Sequence, residues 1–409
     1  MEFFYVLLIL LVITRAFGEL AVRLRQPALV GELLAGIILG AVIKLSPSSF
    51  PIMNGITDNE VFTAITDLGI FFLMLMAGLE MHPKEIAENS KTAMSIAIGG
   101  LIVPLLVGFL IGWWYLPPSD IRLAQILFIG TALAITAVPV AVKVLMDLDK
   151  LDSTAGKMIV SAAIVDDILG LLLLAVLTAV IRTGEMPQFA GLLKLSGQIL
   201  LFLAVVTGIG LFILPRLERV IDSSVVEEFE FSALLAVAFG FAFLAEALHM
   251  HFILGAFAAG LFFTKRTMDA KVFKGVQDRI SGITTGFLAP VFFASIGLHL
   301  DVSAFISIPI FLLILIVAAF ACKMIGAGLV AYGVGLSGKD SLIVGVGMSG
   351  RGAVELIIAD IALRAGLFSQ PDPPPEIIAN LFSAIVIMAV VTTLITPIAL
   401  RFIMSRQSS

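Results

Sequence analysis

Thirteen predominantly apolar runs, most of them long enough to cross a bilayer as a helix, divide this chain from end to end. They are residues 3–22, 28–45, 60–80, 91–115, 121–146, 154–181, 190–214, 229–247, 250–264, 280–298, 304–334, 340–366 and 377–402. Of 409 residues 60% are hydrophobic and 13% charged, about half the charge of an ordinary soluble domain. No water-soluble fold hides that much apolar surface. The spacing predicts an all-α polytopic membrane protein with thirteen transmembrane helices in the lipid bilayer. The N-terminus opens on Glu2 and shows no cleavage site, so residues 3–22 read as a retained helix. One cysteine, Cys322, excludes an internal disulfide framework.

The basic residues orient the chain. Seventeen Lys and Arg fall in loops on one side. Five (Lys44, Arg122, Arg182, Lys194 and Arg364) fall on the other, and the remaining three of 25, Arg15, Lys323 and Arg351, lie within runs. The positive-inside rule then puts the N-terminus outside and the C-terminus in the cytoplasm.

Two halves of the chain resemble each other. Leu29-Val30-Gly31-Glu32-Leu33-Leu34-Ala35-Gly36-Ile37 in the second run returns as Ile253-Leu254-Gly255-Ala256-Phe257-Ala258-Ala259-Gly260-Leu261 in the ninth. Gly78-Leu79, before His82-Pro83, returns as Gly297-Leu298 in the tenth, before Asp301-Val302. Matching runs are seven apart, an odd number, so the second copy crosses in the opposite direction. This predicts one transmembrane domain over 1–409, with repeat one at about 3–181, a linker helix at about 190–214 and repeat two at about 229–402. Inverted repeats are a mark of secondary transporters whose site lies at the midplane.

Inside the sixth run stand two adjacent carboxylates, Asp166 and Asp167. Each costs about 2.5 to 3.5 kcal/mol near a bilayer centre, so the pair implies water, a cation or a positive partner. Counting from Ser153 at 1.5 Å per residue places Asp166 roughly 20 Å deep, near the midplane. Asp167 is turned by about 100° from it, so the two carboxylates face different neighbours. Lys323, midway along the eleventh run, is the evident counter-charge.

The fifth run is interrupted by Thr131, Thr136 and Pro139, and its repeat mate carries Gly345-Val346-Gly347-Met348-Ser349-Gly350-Arg351-Gly352 ahead of Glu355. Paired interruptions of this kind point to two discontinuous helices lining an ion site. Arg351 and Glu355, four apart, can also pair along one helix face as a structural salt bridge. Gly345-x-Gly347-x-x-Gly350 spells a dinucleotide fingerprint but begins inside a span without the strand that motif needs. His249-x-His251 lacks further metal ligands. With no hydrolase or nucleotide motif, neither an enzyme, a cofactor nor a nucleic-acid partner is expected.

Together the interrupted helix with Thr136 and Pro139, Asp166-Asp167, Lys323 and Arg351-Gly352 ahead of Glu355 resemble the monovalent cation:proton antiporter-2 family, in particular its bacterial sodium/proton antiporters. The resemblance covers nearly the whole chain. It implies the sodium/proton antiporter fold, with a dimerisation panel and a core panel, and a homodimer in the prokaryotic inner (plasma) membrane. Runs four to six and eleven to thirteen would form the core. It further implies that Asp167 binds Na+ and protons, while Asp166 pairs with Lys323 and is freed when the cation binds. Thr136 and nearby carbonyls would complete the oxygen shell, and paired aspartates would mark electrogenic exchange of two protons for one sodium ion.

The chemistry is coherent without the family. Alkali cations prefer oxygen ligands, and a carboxylate taken out of water holds its proton more tightly, so proton and cation compete for one site. A buried lysine sheds its proton more readily, which makes Lys323 a second proton carrier. Two departures from the resemblance stand out: a regulatory domain of the potassium-efflux type is not expected after the last run, and no acid directly follows Arg351-Gly352. Alternatives to Na+ (or Li+) exchange are a K+/H+ antiporter or potassium efflux system, and a sensor or assembly subunit that does not transport.

Overall fold

A computed structural model of the protein describes residues 2–24, 26–45, 53, 55–80, 90–136, 141, 145, 150, 153–183, 189–213, 229–248, 250–263 and 270–405. Its regular elements are all helical: α1 (Glu2–Arg23), α2 (Ala28–Leu45), α3 (Glu60–Glu80), α4 (Ser90–Tyr115), α5 (Arg122–Ala134), α6 (Thr154–Thr183), α7 (Phe189–Gly208), α8 (Phe229–Ala247), α9 (Phe252–Phe262), α10 (Ala270–Ile283), α11 (Ala289–His299), α12 (Pro309–Gly333), α13 (Gly338–Gly347), α14 (Ala353–Arg364) and α15 (Leu381–Ser405), with short turns between some of them. Apolar sequence alone favours this outcome, because only a helix or a closed barrel satisfies its backbone without water. Among the described residues eight helices are long and apolar enough to cross a membrane, and four more apolar helices are shorter. Two π-turns interrupt the α-helical pattern, Ile209–Ile213 after α7 and Thr284–Leu288 between α10 and α11.

The chain forms two compact units. One comprises Met1–Pro83 with Pro187–His299, the other Lys84–Met186 with Leu300–Ser409. The second contains runs four to six and eleven to thirteen, the set that the family resemblance assigns to the core panel.

In the first unit the sequence repeat is also a repeat of contacts. Gly31 on α2 lies so close to α1 that a Cβ there would strike the Phe17 carbonyl. Gly255 on α9, 224 residues later, meets the Phe241 carbonyl of α8, itself 224 residues after Phe17. Likewise Gly36 on α2 abuts Ala294 of α11 while Gly297 abuts Leu33, and Gly260 on α9 abuts Leu75 of α3 while Gly78 abuts Phe257. Each helix pair in one copy thus has its counterpart in the other. Small residues allow these backbones to touch, which is the main source of attraction between helices in lipid. Val6, Leu10, Leu39, Phe62, Val291 and Leu298 fill the space beside these crossings.

In the second unit Gly99 and Gly326 bring α4 and α12 into backbone contact, Gly108 and Gly130 do so for α4 and α5, and Gly345 seats α13 on α12 at Met324. A core of Ile96, Ala155, Ile159, Ala327, Val344 and Leu400 joins α4, α6, α12, α13 and α15. The end of α5, the middles of α6 and α12 and the α13–α14 link therefore meet within one unit.

Candidate cation and proton site

Asp166 lies on α6 with its side chain 1% exposed, opposite Lys323 on α12, which is 0% exposed. Lys323 Nζ donates to both carboxylate oxygens, at 3.0 Å to Oδ1 and 3.1 Å to Oδ2, and to the Ala134 carbonyl at the end of α5. An ammonium has three donors, and here each has an acceptor. Asp167, one residue on, is only partly buried.

The end of α5 explains why two cations gather here. A helix C-terminus leaves its last four carbonyls without amide partners and carries partial negative charge. After Ala134 the chain turns extended at Ile135 (φ −76°, ψ 145°), whose N–H still reaches the Thr131 carbonyl at 3.2 Å. A proline at 139 has no N–H to give the carbonyl four residues earlier, that of Ile135. Pro139 itself lies outside the described residues. Arg351 takes up the loss: Nη1 donates to Ile135 O, and Nη2 to Leu133 O at 2.5 Å and Ala319 O at 3.2 Å. Three successive carbonyls, Leu133 to Ile135, thus each receive a bond from a buried cation.

The twelfth run breaks at the corresponding place. Helix α13 stops at Gly347, residues 348–352 form a non-helical link, and α14 starts at Ala353. Within that link Ser349 Oγ donates to Gly345 O at 2.7 Å, Gly350 and Arg351 are buried, and Thr393 Oγ1 of α15 donates to Arg351 O at 2.5 Å. Glu355 occupies the first turn of α14, where negative charge suits the helix dipole, with Oε2 3.8 Å from Arg351 Nε. The pairing expected from four-residue spacing is present, but not along one helix face, since Arg351 precedes the helix that carries Glu355. The guanidinium's closer partners are the carbonyls of α5 and α12.

Several oxygens remain available. Thr131 Oγ1, Thr136 Oγ1 and both carboxylate oxygens of Glu355 are buried without a hydrogen-bond partner among the described residues. Ile135 packs on α6 at Gly170, where a Cβ would stand 3.2 Å from its Cγ1, so the break in α5 abuts α6 one turn beyond the aspartates. Hydroxyls, carbonyls and a partly accessible carboxylate are the donor set a hard monovalent cation takes. The carbonyls of Leu133, Ala134, Ile135 and Ala319 and the hydroxyl of Thr393 had no individual signal in the sequence; Pro139 marked only where the fifth run is interrupted.

Comparison with known proteins places this arrangement in context. The Na(+)/H(+)-K(+) antiporter GerN of Bacillus cereus is 33% identical over 401 residues, covering 98% of this chain and 96% of that protein. The high-affinity Na(+)/H(+) antiporter NhaS3 of Synechocystis is 30% identical over 421 residues, covering 94% and 86%. The solved structure of the sodium proton antiporter MjNhaP1 from Methanocaldococcus jannaschii shares the fold, with a TM-score of 0.72 at 19% identity over 98% of this chain and 97% of that one. A family profile described as sodium/hydrogen exchanger, transmembrane, matches residues 6–406. With nearly its whole length matched in this way, the chain belongs to the transmembrane sodium/hydrogen exchanger family.

Proposed function

We propose that this protein is a secondary active antiporter that exchanges protons for sodium (or lithium) across the prokaryotic plasma membrane, electrogenically and by alternating access. The observation that carries the reading is the fully buried Asp166–Lys323 pair next to the partly buried Asp167, at a helix end whose carbonyls are held by cations. Asp167 binds either a proton or the cation. When Na+ arrives, Asp166 turns from Lys323 to help ligate it, with Thr136 and carbonyls of the fifth run completing the oxygen shell. Lys323, deprived of its counter-charge, gives up a proton, and Asp167 gives up another. Two protons thus leave as one Na+ binds, and reversal on the opposite face completes the cycle.

In this reading all thirteen apolar runs cross the bilayer, the short and split helices included. The N-terminus is outside, the C-terminus is cytoplasmic, and two chains form a homodimer. The unit that carries the site moves in an elevator-like manner, and the inverted repeat runs over about 3–181 and 229–402. The names of the relatives support the ion, since both GerN and NhaS3 are described as Na(+)/H(+) antiporters. GerN's name also includes potassium, which favours K+/H+ exchange as a second reading. A pH-dye assay in proteoliposomes, with sodium, lithium or potassium pulses and with or without a membrane potential, tests both. A dye response to sodium that scales with the potential is expected; equal responses to sodium and potassium would overturn sodium selectivity, and no response to any cation would overturn antiport.

A further inference from the structure

Among the described residues of the first unit, Glu32 is the one buried carboxylate, and the exchange reaction above makes no use of it. It lies on α2, and Arg15 of α1 places Nη1 3.7 Å from its Oε1, the arginine side chain being 43% exposed. The same guanidinium donates through Nη2 to the carbonyl of Thr285, in the π-turn between α10 and α11. A π-turn takes in an extra residue and leaves a carbonyl without its usual amide four residues on, which frees it for another donor. Beside it Thr284 Oγ1 is buried with no partner among the described residues. One arginine therefore ties an intramembrane carboxylate to a widened turn in a neighbouring helix.

The internal repeat supplies a control. At 224 residues beyond Arg15, Gly18 and Glu32 stand Phe239, Ala242 and Ala256, and Gly255 meets α8 there as Gly31 meets α1. In that copy Phe239 stacks on Phe71 with centroids 4.7 Å apart. In the second copy the positions of Arg15 and Glu32 are apolar, and Phe239 turns to α3 instead, so the close approach of α8 and α9 at Gly255 is made without a charge pair. Gly18 lies beside the carboxylate: a Cβ there would stand 3.4 Å from Glu32 Cγ and 3.5 Å from Oε1, in ordinary contact.

We propose that Glu32 is a second proton-binding site, outside the transporting unit, whose state is relayed through Arg15 to the π-turn and sets the pH range of exchange. When Glu32 is charged it holds Arg15 over Thr285; when protonated it releases the guanidinium, and the turn loses a donor. Among the neighbouring elements, α1 presents Arg15, with Glu19 and Arg23 paired to each other at 2.9 Å further along. The π-turn and α11 carry no ionisable side chain before His299, whose Nδ1 lies 2.8 Å from Ser295 O. Asp67 lies on α3, which packs on the π-turn, and the exposed Asp278 and Arg279 precede that turn on α10. The regulatory half of this inference rests on the antiport reading; proton binding at Glu32 does not.

Infrared difference spectra between acid and alkaline pH, recorded on Asp167→Asn protein in liposomes, separate the two. A protonated-carboxyl band that vanishes in Asp167→Asn/Glu32→Gln is expected, and in Asp167→Asn/Arg15→Leu the band should persist to higher pH. In the otherwise native protein, Glu32→Gln should exchange cations with the midpoint of its pH profile moved by about half a pH unit or more. If no band is lost on Glu32→Gln and none moves on Arg15→Leu, proton binding at Glu32 is overturned, whatever exchange shows. A band that is lost while the pH profile stays in place overturns the regulatory role. Absence of all exchange in the native protein defeats the antiport reading and the regulatory role together, yet leaves the band to decide on the proton site.

Discussion

Two of the ion pairs among the described residues, Asp166–Lys323 and Glu32–Arg15, are built differently. Asp166 and Lys323 are almost wholly buried, with both carboxylate oxygens within 3.1 Å of Nζ and a carbonyl filling the third donor. Glu32 and Arg15 stand 3.7 Å apart, and the arginine is 43% exposed. Breaking a buried pair by removing one partner strands a charge and costs about 3–5 kcal/mol, whereas a part-exposed pair is worth about 1 kcal/mol or less. The first pair can open only when another charge replaces the missing partner, which suits a site that must not move empty. The second opens at little cost, which suits a group that responds to pH.

Substitutions at Asp167, Arg351, Lys323 and Glu32 sharpen or break this contrast, taken from the largest expected effect to the smallest. Asp167→Asn removes the ion-exchanging carboxylate and should abolish cation-driven proton movement in proteoliposomes while the protein melts normally; exchange at the native rate would remove Asp167 from the site. Next, Arg351→Ala leaves the Leu133, Ile135 and Ala319 carbonyls without their donor and strands Glu355, so a loss of about 3–5 kcal/mol is expected in denaturation experiments. Arg351→Lys should recover only part of that, since the guanidinium reaches its three carbonyls from two separate nitrogens and a lysine offers one. A full recovery would show that charge alone holds the break.

Lys323→Ala should cost about 3 kcal/mol by stranding Asp166, and adding Asp166→Asn should return part of it. Strict additivity of the two would mean that the pair is not energetically coupled. Smallest of all, Glu32→Gln should change stability by no more than about 1 kcal/mol and act on the pH profile instead. A loss as large as that from Lys323→Ala would erase the distinction between the two pairs.

Much of this architecture was legible in the residues. Among the described residues eight of the apolar runs hold helices long enough to span a membrane, and depth counting along the sixth run put Asp166 at the level of Lys323. Gly31, Gly36, Gly78 and their mates announced a repeat whose contacts are repeated as well. Other features were not legible for definite reasons. Four-residue spacing suggested that Arg351 and Glu355 share a helix, but the flanking Gly350 and Gly352 belong to a link in which Arg351 is drawn toward another helix's carbonyls. The π-turn at Thr284–Leu288 has no periodic signature, because one inserted residue does not alter an already apolar pattern.

The sequence by itself determined that the chain lives in a bilayer, that its backbone must close on itself as helices, and that Asp166 and Asp167 need a compensating partner there. These follow from composition and spacing, because the cost of burying a polar group in hydrocarbon does not depend on which neighbour relieves it. Only the tertiary structure decided which neighbour does. That Lys323 also holds Ala134, that Arg351 holds Leu133 and Ile135, and that Arg15 reaches from Glu32 to Thr285 are matters of where backbone carbonyls point. Every residue has such a carbonyl, so no residue letter reveals it.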